Sequence, residues 1–231
     1  IRTVDSMLHD NQKLSPKVII APHAGYVYSG AIAGNAYSRL KNATTPITRV
    51  VLLGPSHRVG FKGIAATSAT AYSTPLGNIP IDSAGVQQVL QQHGTGFLDE
   101  AHTNEHSLEV HLPFLQRVLG KFSLIPLVVG DATTEEVAQV LKSLWGGAET
   151  LIVISSDLSH YHPYEDAQHI EARTSKKILD LDTSLVGEEA CGCKPLNGLL
   201  KVLKDKALKV EEVEVRNSGD TAGTKEKVVG Y

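Results

Sequence analysis

Lys17-Val18-Ile19-Ile20-Ala21-Pro22-His23-Ala24-Gly25-Tyr26 decides how this chain is read. A run of β-branched and aliphatic residues stops abruptly at a proline, a histidine and a glycine. A continuous apolar run, as opposed to an alternating one, marks a strand buried on both faces. The same pattern returns three times. Val50-Val51-Leu52-Leu53 leads into Gly54-Pro55-Ser56-His57, and Leu124-Ile125-Pro126-Leu127-Val128-Val129 into Gly130-Asp131. Leu151-Ile152-Val153-Ile154 leads into Ser155-Ser156-Asp157-Leu158-Ser159-His160. Each run ends in polar side chains, and open α/β sheets bind ligands outside the carboxyl ends of their strands.

Helical patterns fill the intervals. Gly30 to Leu40 carries an apolar stripe, and so does Ser107 to Leu119, with Pro113 near its start. Thr133 to Leu144 opens with Thr133 and Glu136 at capping-box spacing. Pro163 to Leu181 begins with a proline, tolerated in the first helical turn, and Pro195 to Leu208 is amphipathic. Gly60 to Ile81 reads as strand, turn and strand, Lys209 to Val215 as a more exposed strand, and Lys227 to Tyr231 as a last strand. Strands alternating with helices predict an α/β fold: a three-layer α/β/α sandwich around a largely parallel or mixed sheet. With no linker, repeat or low-complexity stretch, residues 1–231 are expected to form a single domain.

Composition narrows the function. The 231 residues carry 22 basic and 25 acidic side chains, a net charge of -3. That balance lacks the basic footprint of a nucleic-acid binder, and no run of like charge suggests a membrane patch. No apolar segment approaches the ~18 residues that span a bilayer. The opening IRTVDSMLHDNQKLSPK has no signal-peptide core, so a cytoplasmic location is expected. The two cysteines, Cys191 and Cys193, are separated by one glycine. Such neighbours are poorly placed for a structural disulfide and are expected as thiols.

The chemistry is expected where strands end. His23 and His57 occupy equivalent positions after proline-containing turns, and a shared polar site, a metal site, follows if the four strands are parallel neighbours. Asp131 is expected to cap the next helix. Asp157 is placed to orient His160, with His162 a cap or a solvent-facing residue. His106 and Glu109 would share a helix face at i,i+3 and either support or contact a substrate, or are ordinary polar residues of a helix start. The spacing of His106 and His111 does not fit the zinc-protease motif. Cys191, just before a helix, is expected to have a lowered pKa, suiting a nucleophile or a third metal ligand; the alternative is a buried small residue. His9, His93, His102 and His169 receive no role. No phosphate loop, dinucleotide fingerprint or GxSxG elbow is present.

Several stretches together resemble the Memo family (mediator of ErbB2-driven cell motility). They are Ala21-Pro22-His23-Ala24-Gly25-Tyr26, Leu53-Gly54-Pro55-Ser56-His57, Glu105 through Pro113, Ser155 through His160, and Cys191-Gly192 followed by Pro195. Gly219-Asp220-Thr221-Ala222-Gly223 and Val228-Val229-Gly230-Tyr231 fit as well. The resemblance implies a fold related to class III extradiol dioxygenases, the non-haem iron enzymes that open catechol rings. It implies metal ligands at His23, His57 and Cys191, with His160 and Asp157 as further, catalytic pocket residues. It also implies radical-SAM and AMMECR-type protein partners. Two features depart from the family: its Trp-Tyr pair is absent, Trp145 being the only Trp, and Asp182 to Cys191 is short.

Three functions are compatible with these residues. A metal-dependent redox enzyme would use two His and an anionic ligand, leaving open positions as in Fe(II) oxygenases, with Fe(II), Cu or Zn as the ion. A binding or adaptor protein would use the same pocket for a peptide or small ligand. A metal-dependent hydrolase would use a zinc-bound water.

Overall fold

The computed structural model describes residues 2–8 and 15–231. His9, given no role above, lies outside them. The strands are β1 (Val18–Ala21), β2 (Arg49–Pro55), β3 (Ile64–Ala66), β4 (Ala71–Thr74), β5 (Gly77–Pro80), β6 (Thr95–Phe97), β7 (Ser123–Val129), β8 (Thr150–Ser155), β9 (His160–His162) and β10 (Val228–Val229). The helices are α1 (Arg2–Met7), α2 (Tyr26–Ser38), α3 (Ser83–Val89), α4 (Asp99–Thr103), α5 (Leu112–Leu119), α6 (Thr134–Ser143), α7 (Tyr164–Leu179) and α8 (Cys193–Asp205).

The four apolar runs become β1, β2, β7 and β8. The six-stranded sheet has the order β1-β8-β2-β7-β3-β6. The first four strands are mutually parallel; β3 is antiparallel to β7 and β6 is parallel to β3. The four runs are therefore contiguous and parallel in the sheet, with β8 between β1 and β2. Ala21 pairs with Ser155, and Leu53 pairs with both Ile154 and Leu127. That register brings the carboxyl ends level along one rim.

Two apolar layers explain why these runs do not alternate with polar residues. Val51, Leu53, Ile125, Leu127, Ile152 and Ile154 pack on one face with residues of α3, α6 and α8. Val50, Leu52, Leu124, Val128, Leu151 and Val153 pack on the other with residues of α1, α2 and α5. All twelve are essentially inaccessible to solvent, and each such burial is worth roughly 1.5–3 kcal/mol. Pro126 is tolerated inside β7 because of its position. Ser123 N–H donates toward β2, to Thr48 C=O, so alternate residues 124 and 126 face the other side. There β3 pairs only with residues 128 and 129, and no ladder bond is lost.

Some expectations shift. The helix read from Ser107 begins at Leu112, with Pro113 in its first turn and a 3-10 turn over Glu109–His111 before it. Gly60 to Ile81 forms three short strands, not two. Lys209 to Val215 is not a strand; side chains hold it, with Asn35 Nδ2 donating to Glu214 Oε2 at 3.0 Å and Ser175 donating to Glu212. Asp131 does not cap α6. Thr133 does, its Oγ1 accepting from Glu136 N–H while Glu136 Oε2 accepts from Thr133 N–H. Asp131 instead pairs with Lys194 at 2.9 Å. Among the described residues, no helix is long and apolar enough to cross a membrane.

Helix α8 meets α6 at Gly198, where a Cβ would lie 2.3 Å from Val137 Cγ1. Gly198→Ala should lower stability by about 1–3 kcal/mol through overpacking, although alanine favours helix. Urea denaturation reads this directly. An unchanged midpoint would mean that the helices can part without loss.

Candidate metal centre

In the strand order, β1 and β2 flank β8. Neighbouring strands are ~4.8 Å apart, so their backbones stand roughly 10 Å apart. Histidines following β1 and β2 must lean over the end of β8 to meet. They can do so because β8 runs into Ser155 and Ser156, whose side chains are short. The rings of His23 and His57 meet edge to face, with centroids 5.1 Å apart.

Each ring is clamped by a different group. His23 is buried; its backbone N–H donates to Asp157 Oδ1 at 2.8 Å and its Nδ1 lies 2.6 Å from Ser155 Oγ. Its Nε2 is 3.4 Å from Cys191 Sγ and 3.8 Å from Asp157 Oδ2. His57, only part-buried, is gripped by the Glu105 carboxylate. Its backbone N–H donates to Oε2 at 2.6 Å and its Nδ1 to Oε1 at 2.9 Å. The same Oε1 lies 3.3 Å from His106 Nδ1. The His106 ring stands 4.7 Å from that of His57 and 5.4 Å from that of His23. One ligating atom from each of His23, His57 and His106 lies within 4.8 Å of the others, close enough to hold one metal ion.

The electrostatics favour a cation. Burial, then the neighbouring imidazoles His111, His57 and His106, hold the pKa of His23 well below 6.5. Burial, then His57, also lowers His106. These nitrogens keep their lone pairs. Burial opposes ionisation of Glu105, but hydrogen bonds from the His57 ring and from the backbones of His57 and Ser107 outweigh it and bring the carboxyl down to about 2. Asp157 is pushed up to about 6 by burial. Cys191 is pushed up to about 12, by burial first and the Asp157 charge second. The lowered thiol pKa expected from the helix terminus is thus corrected: with little solvent to share the charge, desolvation outweighs a partial dipole.

The profile of the Memo-like protein family matches residues 2–231. The chain belongs to the Memo family. It is 36% identical over 232 residues to a MEMO1 family protein of Aquifex aeolicus, covering 95% of this chain and 85% of that one. A MEMO1 family protein of Methanopyrus kandleri is 34% identical over 230 residues, covering 92% and 80%. An uncharacterised protein of Escherichia coli K12 is similar in fold alone: TM-score 0.50, 15% identity, 84% of this chain and 91% of that one.

In this Memo protein the rim brings together His23, His57, Asp157 and Cys191. Asp157 serves differently from the expectation, since its carboxylate holds the His23 backbone, not His160. His160 is half-buried in β9, and burial lowers its pKa. His162 pairs with Val228 in the same small ladder. His106 joins the cluster, whereas Glu109 is exposed in the 3-10 turn; Glu105 is the carboxylate that binds the histidines. His93 pairs on the surface with Glu136, His102 is bonded to Tyr72 and Ala65, and His169 is exposed.

Burying neutral imidazoles ties stability to pH. His111 is wholly buried and held down to about 3 by desolvation. Its folded pKa is below its unfolded one, near 6.5, so the unfolded chain takes up a proton first. The stabilisation is present above pH ~6.5 and is lost as pH falls toward 3, on the order of 4 kcal/mol for this group. His23 acts in the same direction. Urea unfolding at stepped pH should show stability falling between pH ~6.5 and 5, and a flat profile there would contradict the neutral assignment.

Proposed function

We propose that this Memo protein is a metal-dependent oxidoreductase of non-haem, dioxygenase-like type. The ion would be held by His23 and His57, with Cys191 as third donor and His106 beside them. The observation that carries the reading is the shared direction of the two clamps. Ser155 occupies Nδ1 of His23 and Glu105 occupies Nδ1 of His57, which leaves the Nε2 atoms for an ion. The donor chemistry fits a transition metal: imidazole nitrogens beside a soft sulfur favour Fe(II), Cu or Zn over Mg. A bound redox-active ion supplies Lewis acidity and one-electron chemistry.

The chain's own groups would manage substrate and protons. Asp157, with a pKa of about 6, changes protonation near neutrality and offers its Oδ2 as a proton store. His160 is kept neutral by burial and offers a ring nitrogen as acceptor. Tyr161, well exposed and packed against the His160 ring, would form one wall for an aromatic substrate.

Metal analysis of protein purified without chelator or tag histidines tests the reading. About one equivalent of transition metal is expected, falling at least tenfold in His23→Ala and in His57→Ala. Zinc without oxygen consumption would favour hydrolysis through a metal-bound water. Protein that stays metal-free after anaerobic loading with Fe(II), Cu and Zn would leave a binding role for the pocket.

A further inference from the structure

Behind His23, Ser155 opens onto a buried chain of side chains of which the metal-site reading uses only Ser155 itself. Ser155 Oγ is 2.6 Å from His23 Nδ1, 2.8 Å from His111 Nε2 and 2.6 Å from the Ser107 carbonyl oxygen. His111 Nδ1 is in turn 2.9 Å from the Tyr37 hydroxyl. Ser155, Ser107, His111 and Tyr37 are all 0–1% exposed. Solvent therefore does not relieve a misplaced proton, and each buried polar atom must be matched within the set.

One arrangement of protons satisfies every contact. The Ser107 carbonyl can only accept, so the single Ser155 proton must lie on that line. Ser155 Oγ then has only lone pairs for the two rings facing it. Both His23 Nδ1 and His111 Nε2 must carry hydrogen. The Ser107 carbonyl faces His111 as well, which also calls for a proton on that ring. Neutral His111 then has a bare Nδ1, and it accepts the Tyr37 O–H. Any other tautomer of either ring sets two lone pairs against each other at under 3 Å in a dry interior.

We propose that Ser155, His111 and Tyr37 form a buried positioning relay that fixes His23 as its Nδ1–H tautomer, so that the Nε2 lone pair faces Cys191 and the histidine cluster. A histidine ligand free to choose would spend part of its time with hydrogen on Nε2, unable to bind. Metal-ligating histidines elsewhere gain 10–100-fold in affinity from such an outer partner. The relay's purpose rests on the metal-site reading; its geometry does not. Ser155, His111 and Tyr37 are positioning residues that touch neither metal nor substrate.

The test reads the tautomer and the affinity separately. In metal-free protein with 15N-labelled histidine at neutral pH, His23 Nδ1 should resonate as a protonated pyrrole-type nitrogen and Nε2 as a bare pyridine-type one. With Zn(II) as probe, Ser155→Ala should mix the two tautomers and weaken binding 10–100-fold. Tyr37→Phe keeps the core volume and frees only His111 Nδ1; His111 should then lose its single tautomer, while His23, still facing the lone pair of Ser155 Oγ, should keep its Nδ1–H form. Wild-type His23 in the Nε2–H form overturns the relay. So does a His23 tautomer unchanged in a folded Ser155→Ala. A wild-type protein that keeps the Nδ1–H form yet binds no Zn(II) supports the relay and counts against the metal-site reading alone.

Discussion

The two strands that end in histidine are not neighbours. β8 stands between β1 and β2, and whatever it presents at its carboxyl end fills the gap the rings must cross. A large side chain there would hold the rings apart, and an apolar one would leave His23 Nδ1 without a partner in a site it cannot leave. Ser155 is short enough to let the rings meet at 5.1 Å and polar enough to bind the inner one. Convergence thus depends on a residue that is neither candidate ligand nor base.

Around that point the site divides into a neutral half and a charged half. His23 and His111 are buried, Cys191 is part-buried, and partial or full removal from water keeps all three uncharged. Glu105 is the counterweight. Its carboxylate is buried but collects the His57 ring, two backbone N–H groups and the approach of His106. A buried anion is costly unless its lone pairs are matched, and here they are. The result is a cluster of bare nitrogens above one fixed negative charge, an arrangement suited to a cation.

The fold was legible because strands buried on both faces cannot alternate, and four such runs with the same ending could only line one rim. The helix from Ser107 was misplaced because its apolar spacing is genuine, while Pro113 and the claim of Glu105 on the Ser107 N–H delay helical bonding to Leu112. An i,i+3 face shared by His106 and Glu109 exists only on a helix, and here the α-helix starts after both, at Leu112. Lys209 to Val215 alternates as a strand does but has no ladder partner. Glu105, Ser155 and His111 escaped because their partners lie 48, 132 and 74 residues away in the chain. The available signals were modest: a carboxylate next to His106, and the first hydroxyl after a buried strand.

X-ray absorption at the edge of the bound metal tests the central claim most directly. Scattering from at least two imidazole rings is predicted, and a sulfur shell at roughly 2.3 Å would add Cys191 to the ligands. A shell of oxygen atoms alone, with no imidazole scattering, would contradict the account.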